Sequence, residues 1–116
     1  MTVLKYIEPN YNYIAIFTNL DNDKTGGIRK NMSLTSDGFT CCWVIAQSRE
    51  IEKIILYIRE NGINKIYKAD YHYRENIEGR RYKIYYKNLK FIENTHSNWM
   101  EFAHTQSPIR YIDKTI

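Results

Sequence analysis

Between residues 63 and 87 the chain alternates bulky and charged residues on either side of a turn. A period of two belongs to strands, because successive side chains point to opposite faces. Two such runs, Ile63 to Arg74 and Arg80 to Lys87, flank Asn76-Ile77-Glu78-Gly79, whose Asn and Gly suit the ends of a turn. The pattern predicts a β-hairpin. Pairing Asn76 with Gly79 sets Tyr73 opposite Tyr82, Tyr71 opposite Ile84 and Ala69 opposite Tyr86. These residues and Tyr67 form one aromatic face, expected to be buried. The other face carries Lys68, Asp70, His72 and Arg74 beside Arg81, Lys83, Tyr85 and Lys87. A slip of one residue would mix the two sets, so burial is expected to lock this register.

The charge distribution draws attention to the same segment. The net charge is +4, and residues 71–95 hold six bases against three acids, while residues 1–40 and 96–116 are each neutral. Lys and Arg neutralise phosphates, and an interleaved Tyr can stack on a base, so the outer hairpin face suits an anionic partner. Solvent-facing strands also carry Lys and Arg for solubility and edge protection, which is the competing explanation. The 11 tyrosines alone are not a functional signal. Ile, Asn, Lys and Tyr dominate the chain together, a composition that AT-rich codon usage produces.

Other segments complete an α+β expectation for a single domain spanning 1–116. Tyr11 to Thr18 reads as a strand. Phe39 to Ala46 is apolar on both faces, which suits a central strand. Ser48 to Asn61 reads as a helix: Ser48 caps it, Gly62 ends it, and Ile51, Ile54, Ile55 and Ile58 form its buried stripe. The β-branched run leaves a strand over 53–59 as the alternative. A short helix is expected over 97–104, anchored by Trp99, Met100 and Phe102, with an edge strand at 109–112. The expected architecture is a small mixed or antiparallel twisted sheet of about five strands, able to close toward a barrel, around one central helix 48–61. Asn19 to Gly38 reads as a long loop. In it Arg29 and Lys30 follow Gly26-Gly27, a weak phosphate-cradling signal without a P-loop ending.

Catalytic patterns are sparse. His72, His96 and His104 form no HxH or HExxH motif, and there is no GxSxG. Glu101 and His104 share one helical face, too little for a metal site by themselves. No cofactor is implied. Adjacent Cys41 and Cys42 should point to opposite faces of a strand, so a bond between them is not expected, and a reducing, cytoplasmic setting fits. No segment has the roughly 20 apolar residues of a membrane helix. Trp43 and Trp99 read as core residues, with a base-stacking aromatic pocket as the alternative.

Two functions follow. The first is a non-enzymatic module binding nucleic acid or a nucleotide through Lys68, His72, Arg74, Arg81, Lys83, Tyr85 and Lys87, with Arg29 and Lys30 as a second cluster. The second is a small virus- or mobile-element-encoded inhibitor of a host defence system. It would bind a host protein with an acidic surface or sequester a nucleotide, in a pocket such as a homodimer interface provides.

Overall fold

In the computed structural model, which describes residues 2–116, the chain forms one seven-stranded mixed sheet. Its strands are β1 (Tyr13–Asn19), β2 (Met32–Ser33), β3 (Phe39–Val44), β4 (Lys53–Glu60), β5 (Ile63–Glu78), β6 (Arg81–Thr95) and β7 (Ile109–Ile112), in the order β2-β3-β6-β5-β4-β1-β7. Only β1 and β4 run parallel. The helices are short: α1 (Gly27–Lys30), α2 (Trp99–Ala103) and two 3-10 turns at Thr2–Tyr6 and Leu20–Asn22.

The central helix expected over 48–61 does not form; most of it is strand β4. Ile54, Leu56 and Ile58 enter one apolar cluster, while Ile55 and Tyr57 enter a second on the opposite face. That alternation has a period of two, and a run buried on both sides favours β-branched residues in a strand. Asn61 and Gly62 do not end a helix. Both have positive φ, 54° and 73°, and form the two-residue turn between β4 and β5. The carboxylate of Asp21 accepts both of their backbone N–H groups, at 2.6 and 3.0 Å. The C-terminal helix expected over 97–104 contracts to the one-turn α2. Asn98 caps it by accepting the Glu101 N–H, and His104 leaves it with φ of 54°. The sheet has seven strands, not five, and β3 is next to an edge instead of central.

The sheet is open, but it curls. A flat sheet would separate its first and last strands by about 29 Å. Yet Met32 of β2, Trp43 of β3 and Ile109 of β7 all pack on one inner cluster with Ile14, Ile54, Ile84 and Tyr86. The sheet therefore wraps around this cluster, and its two ends face each other across a seam. The outer face of the β1-β4-β5 region is covered by the N-terminal 3-10 turn and α2. Val3, Tyr6, Trp99 and Phe102 close over Tyr13, Ile55, Tyr57 and Ile66 there. No helix among the described residues is long and apolar enough to cross a membrane.

Candidate functional site

The long hairpin exists, but its register differs from the expected one. Its turn is Gly79-Arg80, with Glu78 opposite Arg81 and φ of 55° at Gly79. Asn76 supports the turn with its side-chain amide, which donates to the Gly79 carbonyl at 2.9 Å. Tyr71 pairs with Tyr86, Tyr73 with Tyr85, Arg74 with Ile84 and Asn76 with Tyr82. Between Tyr71 and Tyr73 the β5 strand takes two steps while β6 takes one. This bulge reverses the alternation of β5 toward its tip. Tyr73 is carried to the outer face and Arg74 to the inner one.

The consequence is an aromatic cluster outside both cores. The Tyr73 and Tyr85 rings stack with centroids 4.4 Å apart and planes 14° from parallel. Phe39, paired with Tyr85 from β3, lies 6.1 Å from the Tyr85 ring. The Lys83 ammonium sits over both rings, 4.1 Å from the Phe39 centroid and 5.0 Å from that of Tyr85. His72 packs edge-on against Tyr73, and Lys87 is exposed farther along β6. Tyr73 is 47 % exposed, unusual for a tyrosine on a paired strand. Two acids share this face: Glu75 opposite Lys83 and Asp70 opposite Lys87.

The other expected site residues separate from this cluster. Arg74 is a structural tether: its guanidinium donates to the carbonyls of Gln47 and Arg49, both at 2.8 Å, and lies over the rings of Tyr71 and Tyr82. Arg81 donates to the Cys42 carbonyl at 3.0 Å. Lys68 lies over the Tyr13 ring, beside the ion pair of Lys53 with Asp70 (2.6 Å). That pairing, with the amide of Asn88, holds the Asp70 carboxyl below its ordinary range. Arg29 pairs with Glu60 at 2.7 Å, and Lys30, beside it on α1, is exposed. Sequence reasoning missed Phe39 and Tyr73, the first assigned to a covered strand and the second to the inner face.

The tryptophans also part. Trp99 is buried in the outer cluster and donates its ring N–H to the Ser107 carbonyl at 2.7 Å. Phe17 stacks on it at 5.4 Å, with planes 20° apart. Trp43 stands in the seam and donates to the Thr40 hydroxyl at 2.9 Å. On one side of it lies a cavity of about 360 Å³ reaching the end of β1; on the other, one of about 400 Å³ reaches Pro108, Ile109 and Tyr111. Contrary to expectation, Cys41 and Cys42 are bonded to each other. They occupy a bulge in the pairing of β3 with β6 between Thr40 and Trp43, where strict alternation of faces no longer holds. No group of three or more metal-ligating side chains occurs among the described residues, so Glu101 and His104 gather no further ligand.

In comparisons with known proteins, the chain matches no family model, no curated protein and no solved structure.

Proposed function

We propose that the protein is a non-enzymatic module that binds single-stranded nucleic acid on the outer face of the β5-β6 hairpin. The supporting observation is the exposed Tyr73–Tyr85 stack beside Lys83. The exposed Tyr73 ring, backed by the half-buried Tyr85 ring on which it stacks, offers a π-face to an unstacked base, while Lys83, Lys87 and His72 offer positive charge or hydrogen-bond donors to the adjoining phosphates. Base–aromatic stacking tolerates any sequence, so the module discriminates poorly among bases and prefers single strands to duplex.

Fluorescence anisotropy with labelled single-stranded RNA and DNA tests it. Two or three phosphate contacts give log K a slope of about −1.5 to −2 against log salt. Tyr73→Ala and Lys83→Ala each weaken binding, and Lys83→Ala also flattens the slope. Absence of binding to every oligonucleotide at low salt, or affinity unchanged in both variants, rejects the reading.

A further inference from the structure

The seam holds a second site whose chemistry differs from that of the hairpin. Its 360 Å³ cavity lies between the end of β1 and the segment running from α1 through β2 to β3. That volume is at the small end of the range for small-molecule clefts and cavities, roughly 300–1,000 Å³. The apolar walls are Ile28, Met32 and the indole of Trp43. No Asp, Glu, Lys, Arg or His lines it, so whatever enters is uncharged in the part enclosed.

The polar groups present are neutral and can both donate and accept. Thr18, Asn22 and Asn31 line the cavity, and Thr18 is only 4 % exposed. Neighbouring polar groups have partners: Asn19 accepts the Asp21 N–H, and Trp43 donates to Thr40. Thr18 is the buried one of the three, while Asn22 and Asn31 are exposed where the cavity opens to solvent. A carboxamide carries a donor and an acceptor side by side, which matches the edge of a heteroaromatic ring bearing both. A flat indole wall matches the ring's face. An aliphatic ligand would leave the amides unpaired, and a charged one would find no counter-charge inside. Lys30, which lies between Ile28 and Asn31 in the chain, does not itself line the cavity; it is exposed and forms no ion pair among the described residues, so its long side chain is the base nearest in sequence to the lining that is not held in an ion pair.

We infer that the seam cavity binds the base of a nucleoside or mononucleotide, with the base against Trp43, its edge read by Asn22, Asn31 and Thr18, and a phosphate, where present, at Lys30. This site is independent of the hairpin surface. It is a half-open cleft sized for one base, whereas Tyr73 and Tyr85 would present an open platform to a strand.

The test is thermal unfolding of the full chain with each of the four ribonucleosides and each 5′-monophosphate at millimolar concentration, backed by ligand-observed saturation transfer. At least one base raises Tm by about 3 °C or more, because a ligand bound only by the folded state shifts the unfolding equilibrium. Ile28→Trp, which fills the cavity from a half-exposed position, and Asn31→Ala, on an exposed residue, each reduce affinity at least tenfold. Lys30→Ala weakens the monophosphate and leaves the nucleoside unchanged. Tyr73→Ala changes none of these values, so failure of oligonucleotide binding and failure of this site are read separately. The inference is overturned if none of the eight compounds raises Tm or shows saturation transfer, or if binding persists undiminished in both Ile28→Trp and Asn31→Ala.

Discussion

The ring of Tyr73 lies flat against that of Tyr85, 4.4 Å between centroids, on neighbouring strands and outside both apolar clusters. Tyr73, 47 % exposed, contributes little to folding through this stack, since its ring is not sealed from water. As a platform for a base, under the proposed function, it would contribute more, about 1–3 kcal/mol for each base stacked. Tyr73→Ala should therefore lower affinity for a single strand about 5- to 150-fold. The same change should leave the unfolding free energy measured in urea within about 0.5 kcal/mol of wild type, as expected of exposed positions. Tyr73→Phe keeps the ring and should keep the affinity. Equal losses for Phe and Ala would mean that the hydroxyl, not the ring, makes the contact.

Arg74 looked like a partner-binding cation in the sequence and is a fastener in the fold. Its two bonds to the Gln47 and Arg49 carbonyls hold the β3-β4 connection against the hairpin. Arg74→Met should cost about 1–3 kcal/mol of stability, the usual range for hydrogen bonds to a charged group. Arg74→Lys should recover only part of this: both bonds come from one guanidinium nitrogen, which an ammonium can imitate, but an ammonium lacks the planar group that lies over Tyr71 and Tyr82. Neither variant should alter the salt slope of oligonucleotide binding. A reduced slope in correctly folded Arg74→Met would return this residue to the binding surface.

The difference between Tyr73 and Arg74 shows how far the sequence could be read. Composition and alternation identified a hairpin, and Tyr67, Ala69, Tyr71, Tyr82, Ile84 and Tyr86 do form or border the inner cluster. Alternation carries a face assignment only as far as the next bulge, and residues 71–73 form one. Nothing in Tyr71-His72-Tyr73 announces that extra residue. The β4 error was avoidable. Asn61-Gly62 is a strong hairpin-turn signal, and Ile54 to Ile58 is a short apolar run rich in β-branched residues. Reading Gly62 as a helix end converted that signal into its opposite. The seam cavity was not legible at all. It arises where β1 and β3, far apart in sheet order, are brought face to face by the curl.

Asp70 gives the fold an acid-sensitive element. Hydrogen bonds from Lys53 and Asn88 hold its carboxyl below the ordinary range, while the same pairing raises the Lys53 pKa. A depressed carboxyl stabilises the fold above the unfolded-state pKa, about 3.9, and that stabilisation disappears as pH falls through the lower folded value. Lys53 acts in the opposite sense: its contribution is present below the unfolded lysine pKa and is lost as pH rises through the raised one. The Asp70 side chain is 40 % exposed, so solvent screening limits the pair to about 1 kcal/mol or less. Asp70→Asn should lower Tm at pH 7 and converge with wild type in strong acid. Parallel Tm curves from pH 7 to pH 2 would show that Asp70 contributes no acid dependence.

Gly38 should be the least replaceable glycine in the chain, for reasons of space and not of dihedral angle. A Cβ there would meet the Ser33 carbonyl oxygen and lie 2.8 Å from the Tyr86 hydroxyl. Tyr86 is buried, pairs with Tyr71 of β5, and donates its hydroxyl to that same Ser33 carbonyl. The Gly38 carbonyl meanwhile accepts the Tyr86 N–H at 3.0 Å. A side chain at 38 must therefore displace the β2 backbone, which cannot yield as a flexible side chain would. Gly38→Ala should cost about 1–3 kcal/mol through overpacking. Tyr86→Phe alone should cost about 1 kcal/mol for the lost hydrogen bond. Because Gly38→Ala already pushes Ser33 away from Tyr86, the double variant should lose less than the sum of the two. Denaturant midpoints of the four proteins measure this directly. Strict additivity would mean that β2 does not move and that the added methyl is accommodated elsewhere.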